Sequence, residues 1–226
     1  MSAPGSGRLV VFDAFGTLFD PSSLVERLRV RFGEDGLAIG ATWRATQLRY
    51  TWLRTLMDAY ELFDVVTRDA LAFAVRSHGH EASDGELDEL AGGYTELDAY
   101  AEVPDVLGAL ADAGMTLAIL SNGTHAMLDA LAERAGIAGR FTAILSVDAV
   151  RRYKPDPAVY RLAIEHFGVA AADVRFVSGN PWDCSGARRF GFDVTWIARS
   201  DGPFDELGER PDHVGRDLRV LLDPLA

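Results

Sequence analysis

Two regimes of hydrophobic patterning divide the 226-residue chain. From residue 101 onward, short apolar runs alternate with stretches whose apolar positions recur at helical spacing. The run 115–121 (MTLAILS) predicts a buried strand, and 141–147 (FTAILSV), 174–179 (VRFVSG) and 193–199 (DVTWIAR) predict further strands. Between them the pattern predicts helices over 104–114, 124–136, 155–168 and 182–191. The first is bracketed by Pro104 and Gly114, and the third carries Pro155 in its first turn. Strands alternating with helices of this length imply βαβ units and a parallel sheet. One more apolar run, LVVF at 9–12, predicts a strand near the start and ends on an acid, Asp13.

Residues 20–100 read differently. They hold no convincing strand and predict helices over 22–33, 40–58, 62–78 and 84–98, with Ser23-x-x-Glu26 and Ser83-x-x-Glu86 as capping boxes. The expected fold is therefore α/β: a Rossmann-like parallel-sheet core, residues 1–19 and 101–226, interrupted by a helical cap subdomain, residues 20–100. No internal repeat and no low-complexity segment is present.

Composition narrows the function. With 48% hydrophobic and 25% charged residues the chain has the make-up of a soluble globular protein. A net charge of −12 excludes a nucleic-acid partner, which demands a basic surface. It does not exclude a small anion, because a few buried cations set the local field. The single cysteine, Cys184, rules out a disulfide framework and suits the cytoplasm. The opening MSAPGSGR lacks the features of a signal peptide, and no apolar run is long enough to cross a bilayer. The five histidines are scattered, and His78 with His80 alone does not make a metal site.

Four polar clusters stand at predicted strand ends: Asp13 with Thr17, Ser121 with Asn122, Lys154, and Ser178 through Asp183. Each has a structural alternative. Asp13 and Ser121-Asn122-Gly123 suit turns, Lys154 could be a surface charge, and Asp183 could cap a helix. Together they lie at the carboxyl ends of parallel strands, where the ligand crevice of such a sheet forms.

FDAFGTL, LSNG, YKPDP and SGNPWD resemble the four motifs of the haloacid dehalogenase superfamily, and they span the whole α/β part. The segment WRATQLRYTWLRTLMDAY (43–60) is similar to the cap helix of the L-2-haloacid dehalogenases. The resemblance implies a cofactor- and metal-independent hydrolase that turns short (S)-2-haloalkanoic acids into (R)-2-hydroxyalkanoic acids and halide through an aspartyl ester. Asp13 would be the nucleophile. Arg44 with Asn122 would bind the departing halide, while Ser121 and the backbone from Ala14 onward would hold the substrate carboxylate. Lys154, supported by Thr17 and Ser178, would keep Asp13 ionised. Asp183 with Asn180 would activate water, and Tyr160 would support that site. Phe15, Leu48, Phe63 and Trp182 would line the pocket, and Trp43 and Trp52 would pack. The partners implied are a 2-halocarboxylate, a halide ion and a second copy of the chain through the cap helices.

Phe15 separates this reading from its rivals. Superfamily phosphatases carry an acid two residues after the nucleophile to protonate an alkoxide, whereas halide ions other than fluoride leave without a proton. The rivals are a phosphatase of the same superfamily, a fluoroacetate-type dehalogenase and a non-catalytic binding module. The chain departs from the family pattern at Phe15, where Tyr is common, at Ala45 and Thr46, and at Gly179 and Pro181. These changes bear on pocket shape.

Overall fold

A computed structural model describes residues 9–223; the stretch MSAPGSGR, in which no signal peptide was expected, and residues 224–226 lie outside the described residues. Strands β1 (Leu9–Phe12), β2 (Thr116–Ser121), β3 (Ala143–Ser146), β4 (Val174–Ser178), β5 (Asp193–Ile197) and β6 (His213–Gly215) form one sheet. Its order is β3-β2-β1-β4-β5-β6, and every pair is parallel. β1 is central, and all four of its side chains are buried because both faces of the sheet are covered. The strand order reverses between β1 and β4, so the crevice beyond their carboxyl ends is the place where such a sheet binds ligands.

Between β1 and β2 run helices α1 (Ser23–Phe32), α2 (Gly36–Leu56), α3 (Phe63–Ser77), α4 (Asp84–Gly92) and α5 (Val103–Asp112). The chain leaves the sheet and returns to it side by side: Asp20 N–H donates to the Asp98 carbonyl, and Tyr100 N–H donates to that of Leu18. Helices α6 (His125–Arg134), α7 (Pro157–Phe167) and α8 (Pro181–Phe190) connect the later strands. Local chemistry sets their limits. Thr124 accepts from Met127 N–H at the start of α6, Asp156 accepts from Ala158 N–H before Pro157, and left-handed Gly168 and Gly191 end α7 and α8.

Several boundaries differ from the sequence expectation. The Ser83–Glu86 capping box forms, but the one at Ser23–Glu26 does not. There Ser22 is the capping residue and makes no side-chain cap, while Asp20 holds its N–H instead. α2 starts at Gly36 rather than residue 40, and a Cβ at Gly36 would lie 2.5 Å from the Arg29 backbone nitrogen. The glycine there is a helix crossing, not a loop. α4 stops at Gly92 and passes into a 3₁₀ turn, Gly93–Thr95. α7 begins at Pro157, after Asp156, so Pro155 lies before the helix. The strand expected to end the sheet is followed by a sixth, β6, of only three residues, too short to show a period.

Candidate active site

Asp13 ends β1 and is almost fully buried. Its Oδ2 accepts from the Thr17 hydroxyl at 2.9 Å and from Asn180 Nδ2 at 2.8 Å, and its Oδ1 accepts from Lys154 Nζ at 3.1 Å. A tight turn through Gly16, at φ +77°, brings Thr17 back to the carboxylate four residues before it. Gly179 N–H donates to the Thr17 oxygen, closing the β1 and β4 loops on each other. They touch so closely that a Cβ on Gly179 would sit 2.2 Å from the Gly16 carbonyl oxygen. The glycine that departs from the family pattern is therefore the one this contact needs.

Lys154 is fully buried between two acids: its Nζ also donates to Asp183 Oδ2 at 2.9 Å. Burial works to lower its pKa, but the Asp13 and Asp183 charges outweigh it and raise the group above the ordinary lysine value. Asp183, on the first turn of α8, is fully buried and caps nothing. Its Oδ2 takes a second bond from the Ser178 hydroxyl at 3.1 Å, and its Oδ1 accepts from Tyr160 OH at 2.8 Å. Burial pushes its carboxyl up to about 6, against the lowering pull of Lys154. Burial likewise drives the Tyr160 phenol well above its usual range, so it stays a donor.

The other expected residues distribute as follows. Arg44 reaches down from α2, donating from Nη2 to Asn180 Oδ1 at 3.2 Å and from Nη1 to Gln47 Oε1 at 2.7 Å. Asn180 thus bridges Arg44 and Asp13, and its Nδ2 also meets the Phe15 carbonyl. Asn122 Oδ1 accepts from Lys154 N–H, and Ser121 Oγ accepts from Gly123 N–H, both at the end of β2. Ala14 is buried in the turn after Asp13. Phe15 stacks on Phe63 with ring centres 5.4 Å apart and meets Tyr94 edge-on, forming an apolar wall beside the carboxylate. Leu48 is half-buried on α2, and Trp182 meets Trp52 edge-on at 5.7 Å. Trp43 packs on Tyr94 and donates to the Thr67 carbonyl. Cys184 is buried, with its thiol pushed up by burial.

A divalent cation does not suit this donor set. The space between the two carboxylates is filled by the Lys154 ammonium, and the Phe15 carbonyl is already taken by Asn180. Among the described residues, no group of three or more His, Cys, Asp or Glu side chains could hold a metal ion.

Sequence reasoning missed three contributors. Gln47, Tyr94 and Thr67 form a buried polar chain behind Arg44. Arg199, beyond β5, donates to the Thr17 carbonyl and pairs with Glu102 at 2.9 Å, bracing the turn after Asp13. A charge at a strand's carboxyl end was the signal available for Arg199. A second tether joins residues 55–61 to the loop carrying Lys154. Tyr153 OH donates to the Glu61 carbonyl, Tyr153 N–H to the Thr55 hydroxyl, Arg152 pairs with Asp58, and Tyr60 bonds Asp148.

A parallel α/β sheet that sets an aspartate at its central strand end, beside a buried lysine and a second aspartate, defines a hydrolase of one class. The haloacid dehalogenase-like hydrolase model matches residues 8–191, and the chain belongs to that family. It is 43% identical, over 95% of its length and 92% of the relative's, to the (S)-2-haloacid dehalogenase of Pseudomonas sp. strain YL. It is 40% identical to haloacetate dehalogenase H-2 of Moraxella sp. strain B, over 90% of this chain and 91% of that one. The L-2-haloacid dehalogenase of Xanthobacter autotrophicus with chloropropionic acid covalently bound superposes with a TM-score of 0.89 at 37% identity, covering 97% of this chain and 99% of that one.

Proposed function

We propose that this chain is an (S)-2-haloacid dehalogenase, converting short (S)-2-haloalkanoic acids to (R)-2-hydroxyalkanoic acids and halide. The observation that carries the reading is Phe15. The site holds a carboxylate nucleophile and a second carboxylate, yet the position that would protonate an oxygen leaving group is an aromatic ring stacked on Phe63. Only a leaving group that departs without a proton suits the first displacement at such a site, and halide does.

In the first step an Asp13 oxygen attacks C2 opposite the halogen. The C–O bond forms as the carbon–halogen bond breaks, and the halide leaves toward Arg44 and Asn122. Thr17, Asn180 and Lys154 hold the carboxylate aligned, so much of the gain comes from orientation. The substrate carboxylate lies on Ser121 and the backbone after Asp13. In the second step water attacks the Asp13 ester carbonyl while Asp183 takes its proton. The ester C–O bond breaks as Asp183 passes that proton to the departing C2 oxygen, and the hydroxy acid leaves with inverted configuration at C2. Asp183 is held for this by Tyr160, Ser178 and Lys154, and Asn180 couples Arg44 to the nucleophile. Leu48, Phe63 and Trp182 line the pocket, and no cofactor takes part.

Residues 20–100 act as a cap on the core formed by 1–19 and 101–226, and two copies associate through the cap helices. Exposed apolar side chains on these helices and their ends, Val30, Leu37, Leu56 and Met57, support that surface. The lone buried cysteine supports a cytoplasmic location. Among the described residues no helix is long and apolar enough to cross a membrane.

Trapping tests the mechanism. Asp183→Asn mixed with 2-chloropropionate should release about one halide per site and gain one acyl substituent on the peptide holding Asp13. Halide release without an adduct, or an adduct on another peptide, overturns the reading. Phosphate release from a panel of phosphomonoesters, run in parallel, reports the phosphatase alternative.

A further inference from the structure

The ammonium and the guanidinium of this site are treated in opposite ways. Lys154 lies between two carboxylates. Arg44 makes no ion pair among the described residues, and both of its protein acceptors are amide carbonyls, those of Gln47 and Asn180. Elsewhere on α1–α3, the arginines that reach an acceptor side chain meet carboxylates: Arg27 with Glu96, Arg31 with Glu86, Arg54 with Asp69, and Arg68 with Asp84. The neutral partners are peculiar to Arg44.

We propose that Gln47 is a positioning residue that fixes the Arg44 guanidinium through a neutral carbonyl and so leaves its charge for the anion bound at the site. Gln47 lies three residues after Arg44, on neighbouring faces of α2, and is fully buried. Its amide can face only one way. The Thr67 hydroxyl donates to the Phe63 carbonyl at 2.6 Å, so its oxygen can only accept from Gln47 Nε2, 2.7 Å away. That turns Oε1 to Arg44, with Tyr94 OH as a second donor at 3.2 Å. A carboxylate in the same place would hold the guanidinium equally well but neutralise it, and an anionic substrate or product would then meet a buried pair of zero net charge. Gln47 thereby sets the site's affinity for anions without touching one. The identity of that anion, a 2-halocarboxylate or its halide, rests on the dehalogenase reading.

The test uses Gln47→Glu, nearly isosteric, with chloride and unhalogenated propionate as equilibrium probes of the free protein and 2-chloropropionate for turnover. At pH 8 the variant should bind both probes at least about tenfold more weakly than wild type. Gln47→Met removes the anchor without adding charge. Its kcat should fall while chloride affinity stays within about threefold of wild type. Wild-type affinity in Gln47→Glu at pH 8 overturns the proposal, as does a Gln47→Met protein as weak in anion binding as Gln47→Glu. If the acid does not fold, Thr67→Val, which frees the amide to flip, decides: kcat should drop with chloride binding kept, and an unchanged kcat overturns. Probe binding is read without turnover. A wild-type protein that releases no halide therefore sinks the dehalogenase reading while the comparison still decides the role of Gln47.

Discussion

Replacing Lys154 with methionine keeps a stem of similar length and removes the one cation between two buried carboxylates. Lys154 is fully buried and its Nζ lies 3.1 Å from Asp13 and 2.9 Å from Asp183. Breaking a buried pair by removing one partner costs about 3–5 kcal/mol, because a charge is left uncompensated. For a chain of this length that corresponds to a fall in Tm of roughly 6–11 °C. The pH dependence gives the cause away. In the wild type the lysine's pKa is raised, so its contribution is complete at pH 8 and is lost only above the ordinary lysine range. In the variant the Asp183 carboxyl, already pushed up to about 6 by burial, loses the nearby charge that was lowering it. Its folded pKa rises further above the unfolded value, so the folded state binds the extra proton and the deficit shrinks as pH falls from 8 toward 5. Urea unfolding of both proteins across that range measures it. A deficit under about 1 kcal/mol at pH 8, or one that does not narrow on acidification, would refute the reasoning.

Turnover should fall as pH drops through about 6, where Asp183 takes up a proton and can no longer accept one from water. Tyr160→Phe should move that limb to higher pH, because it removes a donor to the ionised form; a limb that stays put contradicts this. Arg44→Lys keeps the charge but cannot reach Gln47 and Asn180 together. Losing one such bond, about 1.5–3 kcal/mol, should lower kcat/KM roughly 10–100-fold, and a near-normal rate would make Arg44 a cap residue only. Gly179→Ala should cost about 100-fold in turnover by forcing the β4 loop off the Gly16 carbonyl, with a crystal structure or Tm recording the shift. Exhaustive EDTA treatment should leave halide release unchanged, since Lys154 fills the place a cation would need; activity restored only by Mg²⁺ would revive the phosphatase alternative.

The strand ends were readable because they combine two signals, an unbroken apolar run and a polar residue where it stops. β1 into Asp13 and β2 into Ser121 follow that rule, while β4 reaches Ser178 through a run interrupted by Arg175. The clustering of Asp13, Lys154 and Asp183 followed from the sheet being parallel, since all carboxyl ends then lie on one edge. What stayed hidden depends on contacts between segments distant in sequence. Gln47 reads as one more polar residue on a long helix until Thr67 and Tyr94 arrive from α3 and the turn after α4. Gly36 reads as a loop residue and Gly179 as the end of a strand, although each marks a backbone crossing. β6 has three residues and pairs only because β5 offers it an edge.

The tether between residues 55–61 and the Lys154 loop bears on how this protein could be re-engineered. Because Thr55, Asp58, Tyr60 and Glu61 are bonded to Asp148, Arg152 and Tyr153, the far end of α2 and the buried Lys154 ammonium share one scaffold. Under the proposed reading, a library that varies Leu48 or Trp182, which make none of these bonds, reshapes the substrate chamber. One that strays two helical turns further along α2, into Thr55, also loosens the loop that carries Lys154. Substrate range and catalytic competence are therefore separable at the first set of positions and entangled at the second, and a directed-evolution campaign would find its gains in the former.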